Sequence, residues 1–406
     1  MSGESRTFLS SSLDLRLTAP FLLIMTLGYG VYAIDRVVLS SVLAPMSKSL
    51  ALTNTEVGLL TAAIYIGVTC VVFAAGHLSD RYGRWPVLIS GVVVFSAFTW
   101  LMAFASNFTE AFVFRFISGL GEGIFWPVAM ASVANYFKGR KGLALGIFYV
   151  GFDAGSVAGV SIGGIAFSLT GDWRPAFFVA PLLGLFVIGG AIVGMRKLSG
   201  AGEGAIGIRL GRDALQLLRR PNVLAIMVFA LLATWQSVWQ TAYLPYYFFK
   251  VMRFTVLSSA LLTSLVLVAG AFGKIIVGGM SDLVRRNRLL VLSLCAILLS
   301  YAVFFSSPDF AIDIAAALSM GFFNGSVFPT LQSLMADSSG GKIGSALGLS
   351  TTTQSIATVF STIVAASLFA MGIGTALALD AMIPAGLAVL VALFLKETRP
   401  LPIRPK

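Results

Sequence analysis

Twelve stretches of this chain stay apolar over about twenty residues or more, and only a lipid bilayer suits so many of them. They lie near 18–44, 55–78, 86–105, 110–136, 142–167, 174–195, 221–248, 255–280, 288–306, 310–336, 343–371 and 374–395. A bilayer core about 30 Å thick takes about 20 residues of helix to cross. Within it, a helix satisfies every backbone polar group from its own segment. Composition agrees, with charged residues at 11% of the chain against about 25% in an ordinary soluble domain. The expected fold class is all-α integral membrane, with twelve transmembrane helices. The first 17 residues are polar and no small-residue cleavage site follows them, so the first apolar stretch is expected to remain in the protein.

A net charge of +11 raises the question of a nucleic-acid partner, and its distribution answers it. Of the 28 Lys and Arg, Arg36, Arg115 and Lys274 lie within spans, and Lys48, Arg174, Lys250 and Arg253 fall on one side. The remaining 21 fall on the side that holds both ends of the chain. That asymmetry is the positive-inside bias. It predicts two cytoplasmic termini and a lipid bilayer, not nucleic acid, as the large partner. Cys70 and Cys295 both lie within spans and read as small packing residues.

The chain also repeats itself at an offset of 202 residues. Leu59-Leu60-Thr61 falls on Leu261-Leu262-Thr263, and Gly76-His77-Leu78-Ser79-Asp80 on Gly278-Gly279-Met280-Ser281-Asp282. Gly119, Gly123 and Pro127 fall on Gly321, Gly325 and Pro329, and Ala144-Leu145-Gly146 on Ala346-Leu347-Gly348. A constant offset means that loop lengths repeat along with helices. The expected organisation is a six-helix bundle over 1–195, a glycine-rich basic cytoplasmic linker over 196–220, and a second, parallel six-helix bundle over 221–406. Two parallel repeats in a membrane are expected to hold a ligand between them, near mid-membrane.

At 76–86 the chain reads Gly-His-Leu-Ser-Asp-Arg-Tyr-Gly-Arg-Trp-Pro, between the second and third spans, with a degenerate copy at 278–286. This resembles the loop signature of the major facilitator superfamily, and twelve spans in two halves extend the resemblance over the whole chain. The resemblance implies a secondary transporter that works by alternating access. It implies a gating group of Gly76, Asp80, Arg81, Gly83, Arg84 and Asp282, with Asp80 meeting the start of the eleventh span. His77, the single histidine, stands in a variable slot of the signature. In the first span, which also carries Tyr29 and Tyr32, the Asp35-Arg36 pair looks like the anion:cation symporter branch, as does Arg115 to Pro127 in the fourth, with Glu122 and Trp126. There the first-span arginine holds a carboxylate and the glutamate takes part in proton coupling. Lys274 in the eighth span stands where monocarboxylate carriers have arginine, a departure that gives a point charge instead of a fork. One signal points elsewhere. Gly146, Gly155, Gly159, Gly163 and Gly164 have the spacing of the drug-exporter antiporter signature, with Val160 replacing its proline. Small residues so spaced also serve close helix packing.

An ionisable group in the bilayer centre costs about 2.5–3.5 kcal/mol on insertion scales, so such groups tend to face a cavity and to function. Asp35, Arg36, Arg115, Glu122, Asp153 and Lys274 are read as the in-span set. Arg115 reads as structural. Adjacent helix positions point about 100° apart, so Asp35 and Arg36 are expected to serve different partners. Arg36 and Lys274, with no neutralising neighbour in sequence, are expected to hold a substrate anion between the halves; the alternative for Lys274 is to snorkel toward the cytoplasm. Glu122 is the expected proton carrier, assisted by Asp35. Asp153 reads either as a further proton site or as a partner of Arg36. Tyr29, Tyr32, Trp126, Trp239, Gln240, Tyr243, Asn324 and Gln354 complete the expected substrate site, with Trp235 and Gln236 beside them in the seventh span. The expected function is proton-coupled symport of a small organic carboxylate across a cell's inner membrane, by a functional monomer. The alternative is a proton-coupled drug or metabolite exporter. A transmembrane proton gradient takes the place of a cofactor. No nucleophile–base set or metal-ligand cluster points to an enzyme.

Overall fold

A computed structural model describes residues 6–137, 141–198, 216–280, 284–307, 309–339 and 343–396. Twelve long helices, numbered here in chain order, account for most of them. The first six are α1 (Arg6–Ser49), α2 (Asn54–Tyr82), α3 (Arg84–Met102), α4 (Phe108–Tyr136), α5 (Lys141–Thr170) and α6 (Val179–Leu198). The second six are α7 (Pro221–Ala242), α8 (Val256–Met280), α9 (Arg286–Ser306), α10 (Phe310–Ser338), α11 (Ile343–Ser367) and α12 (Ile373–Phe394). A short helix, Leu244–Lys250, follows α7. All twelve long helices contain a segment apolar enough to cross a membrane. Large apolar side chains such as Leu169, Phe186 and Phe394 stand on their outer surfaces, as lipid contact requires. The predicted linker lies mostly at 199–215, outside the described residues.

The turns follow from local chemistry. Thr53 caps α2 by a capping box with Glu56. Asn107 caps α4 by accepting from the Glu110 amide. The signature at 76–86 is mostly helix instead of loop: α2 runs on to Tyr82, and only Gly83, at φ 85°, breaks it before α3. A left-handed φ of that kind suits glycine and little else.

The 202-residue repeat is visible as packing. A Cβ on Gly119 of α4 would lie 2.1 Å from the carbonyl oxygen of Ile64 in α2, and one on Gly321 of α10 2.4 Å from that of Val266 in α8. Gly123 approaches the Val68 carbonyl, and Gly325 the Gly270 carbonyl, in the same way. Each contact is the other's repeat mate. Neither helix pair can close so far with a side chain in place. Within the first six helices α1 packs on α5 and α2 on α4; within the second six α7 packs on α11 and α8 on α10.

Between the two sets, α2 meets α11 and α5 meets α8. These seams gather at the helix ends remote from the linker. Gly58, near the start of α2, faces Thr362 and Ala366 near the end of α11. Gly164, near the end of α5, faces Ala260 near the start of α8. Ser161 and Ser264 share a hydrogen bond of 2.9 Å beside it. The molecule is thus closed on the side opposite the linker.

Candidate functional site

Asp35 and Arg36 are adjacent on α1 and diverge. Asp35 is fully buried and points to α3 and α4, where one carboxylate oxygen accepts from Thr99 at 2.5 Å and from Arg115 at 3.1 Å. The other oxygen accepts from Ser118 at 2.6 Å. Arg115 also donates to the carbonyl oxygens of Asp35 at 2.8 Å and of Arg36 at 2.7 Å. An ion pair so fully hydrogen-bonded is a fixture that pins α1 to α4. This geometry places Arg115 and Asp35 in one set of hydrogen bonds.

Arg36 is held differently. Its guanidinium lies over the rings of Tyr32 at 5.0 Å and Tyr65 of α2 at 4.7 Å, contacts that favour a cation. Its Nε is 3.4 Å from an oxygen of Glu122. Arg36 Nε and both Glu122 oxygens are buried without a hydrogen-bond partner. Glu122 is 0% exposed, whereas the Arg36 side chain keeps 18% of its surface open. The expectation that Arg36 has no fixed partner is therefore corrected, because the turn of α4 that carries Glu122 brings a carboxylate beside it. The contact is loose, and that distinguishes it from Asp35–Arg115.

Lys274 on α8 is corrected likewise. It donates to Asp153 of α5, across the seam between the two sets of helices. Asp153 is thus the partner of Lys274, not of Arg36. Both side chains remain partly open, at 31% and 23%.

The remaining candidates separate by half. Tyr29, Tyr32 and Phe152 form one aromatic cluster, with Tyr29 stacked on Phe148 at 4.4 Å. Trp126 packs against that cluster from α4. In the second half, Asn324 accepts from Gln236 at 2.6 Å and donates to Tyr301 at 3.2 Å. Gln240 also donates to Tyr301, at 2.9 Å. Trp239 is fully buried against Tyr301, Phe304 and Phe305. Tyr243 is fully buried and donates to the Thr362 carbonyl at 2.7 Å. Trp239 and Gln240 pack within their own half, whereas Tyr243 bonds the Thr362 carbonyl of α11 and also meets Thr61 of α2 across the seam. Gln354 bonds back to Ser350 on its own helix.

Of the gating group, Gly83 makes the turn between α2 and α3. Arg81 lies over the Tyr82 ring. Asp282 and the side-chain positions of Gly76, His77 and Asp80 lie outside the described residues. The glycines of α5 have a packing role: a Cβ on Gly155 would lie 2.2 Å from the Gly30 carbonyl of α1, and one on Gly151 2.2 Å from that of Thr26. Cys70 and Cys295 are free and exposed, so they are not packing residues.

Sequence reasoning missed Thr99, Ser118, Tyr65 and Tyr301, all neutral and invisible to a search for charges. It also missed Asp313 and Asp380, acids within α10 and α12 that are 6% and 3% exposed. Composition alone would have found these two. Among the described residues, no group of three or more His, Cys, Asp and Glu is placed to hold a metal.

The sequence profile described as the Major Facilitator Superfamily matches residues 25–362. Relatives include the multidrug transporter protein MdtP of Bacillus subtilis, 35% identical over 32% of this chain and 24% of its own length. They also include the 4-hydroxybenzoate transporter PcaK of Pseudomonas putida, 30% identical over 31% of this chain and 28% of its own. The niacin transporter NiaP of Acinetobacter baylyi is 34% identical over 28% and 26%. Each of these alignments spans about a quarter of the relative. In fold, the chain superposes on a D-xylose–proton symporter with a TM-score of 0.77 at 16% identity, covering 95% of this chain and 98% of that one. With a profile matched over most of its length and twelve membrane-crossing helices, the chain belongs to the Major Facilitator Superfamily.

Proposed function

We propose that this protein is a proton-coupled symporter of a small organic carboxylate. It sits in a cell's inner membrane with both termini cytoplasmic. The observation that carries the reading is the loose Arg36–Glu122 contact beside the rigid Asp35–Arg115 pair. An arginine fork binds a carboxylate by two parallel hydrogen bonds, and Arg36 spends none of its donors on the protein's own acids in that way. With Glu122 charged, Arg36 has a counter-ion. With Glu122 protonated, Arg36 is an uncompensated cation between two aromatic rings, and a substrate carboxylate is the natural replacement. Proton and anion are thus coupled through one guanidinium. The groups that face Glu122 in this exchange are Arg36, Asp35, Arg115, Tyr32 and Tyr65. The fixed Asp35–Arg115 pair leaves the exchange to Arg36 and Glu122.

Lys274 is the second cation of the proposed site. Its pair with Asp153 joins the two halves, so an anion that attracts Lys274 would also act on the seam. That links binding to rocking of the halves. The relatives named for 4-hydroxybenzoate and niacin make aromatic acids the first compounds to try. The exporter reading rests on Gly146, Gly155, Gly159, Gly163 and Gly164 of α5; close packing on α1 accounts for Gly155, Gly159 and Gly163, packing on α8 for Gly164, and Gly146 faces open space.

A thermal-shift screen of the purified protein against organic acids and lipophilic cations tests the substrate class. A ligand at 100 times its dissociation constant adds about 2.7 kcal/mol of stability. Acids should stabilise the wild type and leave Arg36→Ala unmoved. Arg36→Lys should recover little of the effect, because a point charge cannot form the fork. Stabilisation by lipophilic cations alone, or an unaltered response in Arg36→Ala, would transfer the case to the exporter.

A further inference from the structure

Asp380 is the one in-span acid of α12, and no cation pairs with it among the described residues. The start of α12 at Ile373 puts Asp380 about 10 Å in from the closed side. There its carboxyl group is 3% exposed. One oxygen accepts from the Trp235 indole of α7 at 2.7 Å. The other is 3.0 Å from the hydroxyl of Ser361 on α11, which is itself fully buried. Among the described residues no Lys or Arg pairs with it. The helices packed on α12 do not supply a cation from further away. Neither α7 nor α11 carries a charged residue. On α9 the titratable groups are Arg286 and Arg288 in its first turn, Cys295 and Tyr301, and Arg286 already pairs with Asp337. The short helix after α7 brings Tyr246, Tyr247 and Lys250, and the hydroxyl of the preceding Tyr243 is taken by the Thr362 carbonyl.

The hydrogen count is informative. Ser361 has one hydroxyl proton and two acceptors in reach, the Asp380 oxygen at 3.0 Å and the Trp235 carbonyl at 3.2 Å. If Asp380 carries a proton on that oxygen, it donates to Ser361, and Ser361 donates to Trp235. The Trp235 indole donates to the other Asp380 oxygen, and every group in the ring is satisfied. If Asp380 is ionised, Ser361 turns its proton to the carboxylate and releases the Trp235 carbonyl. Gain or loss of one proton, with rotation of one hydroxyl, therefore interconverts two arrangements in both of which Asp380, Ser361 and the Trp235 indole are bonded to one another. The proton that arrives is taken from water onto the carboxylate oxygen, and it leaves the same way; no other bond changes.

We propose that Asp380, Ser361 and Trp235 form an exchangeable proton-binding site in the second half of the molecule, built on the corner of α7, α11 and α12. Thr362, one residue beyond Ser361, lies against Gly58 of α2 at the seam between the halves. A proton gained or lost here is therefore felt where the halves close. Its part in transport rests on the proton-coupled reading above; its existence does not.

Infrared difference spectra of the full-length purified protein, recorded without ligand as pH is cycled, test the proposal. A protonated buried carboxylic acid has its own carbonyl band. Beside any band that belongs to Glu122, the wild type should show a band that disappears reversibly on raising the pH and is lost in Asp380→Asn. Asparagine at 380 can accept from Trp235 and donate to Ser361, so that variant should fold. In Ser361→Ala the band should persist at a shifted frequency, since its partner has gone while the acid remains. A carboxylic band pattern identical in wild type and Asp380→Asn overturns the proposal. So does an Asp380 band that never responds to pH, because the proton is then fixed. Either result leaves untouched the separate question of whether Glu122 couples protons to transport, because a Glu122 band survives in Asp380→Asn and coupling is read from accumulation.

Discussion

Position 99 holds threonine and its repeat mate, position 301, holds tyrosine; around that difference the two halves have built polar cores of opposite kind. In the first half, Thr99 joins Ser118 and Arg115 on the Asp35 carboxylate, with Arg36 and Glu122 beside them. In the second, the Tyr301 hydroxyl gathers Gln236, Gln240 and Asn324, and no formal charge takes part. Glu122 and Asn324 are repeat mates, as are Arg115 and Ala317. The close glycine contacts, by contrast, are shared by both halves. Duplication kept the packing that shapes each bundle and let the chemistry diverge. One half became a site for charge, the other a scaffold with a neutral polar core and, among the described residues, two buried acids, Asp313 and Asp380, away from it.

Breaking the charged core should cost most. Asp35→Asn leaves Arg115 buried without its counter-ion, and removing one partner of a buried pair typically costs about 3–5 kcal/mol. Thermal unfolding in detergent should show it, and Arg115→Met together with Asp35→Asn should recover part of the loss. If Asp35→Asn melts with the wild type, the pair is not the fixture that its hydrogen bonds suggest.

The neutral core should be more forgiving. Tyr301→Phe removes a hydroxyl that bonds Gln236, Gln240 and Asn324, and unsatisfied buried amides cost about 1–3 kcal/mol. Its melting loss should therefore be smaller than that of Asp35→Asn, with transport retained. A larger loss would reverse the ranking of the two cores.

A smaller effect is expected at the seam. Lys274 and Asp153 are partly exposed, and such pairs contribute about 0–1 kcal/mol. Lys274→Ala should then raise the labelling rate of a Ser264→Cys reporter about fivefold at most, measured with Cys70 and Cys295 replaced. No change would mean that the pair does not help to hold the closed side shut.

The fold was legible in the sequence because its two signals are simple. Long apolar runs dictate helices in lipid, and the repeat of Gly119, Gly123 and Pro127 at 321, 325 and 329 dictates two alike bundles. The candidate site was legible only in part. Arg36 and Glu122 stood out as charges in an apolar context, but their pairing did not. Eighty-six positions separate the two, and the choice between Arg36 and Arg115 as the partner of Glu122 depends on how α1 and α4 rotate. For Trp239, Gln240 and Tyr243 the pattern misled for the same reason. Amphipathic side chains at helical spacing name a face, and that face turns Trp239 and Gln240 to Tyr301 in their own half and Tyr243 to Thr362 and, across the seam, Thr61. Asp380 could have been found by counting, and its lack of a Lys or Arg partner among the described residues could not.

The central claim is that Glu122 carries the proton that frees Arg36 for an anion. It is tested most directly by Glu122→Gln in proteoliposomes loaded for two assays of radiolabelled 4-hydroxybenzoate or niacin: uptake driven by a pH gradient, and exchange with no gradient. Glutamine keeps the shape of the side chain and cannot release a proton. Uptake against the gradient should fall to the level of protein-free vesicles, while exchange continues at close to the wild-type rate. Accumulation that survives in Glu122→Gln would contradict the account and move the coupling proton to another acid.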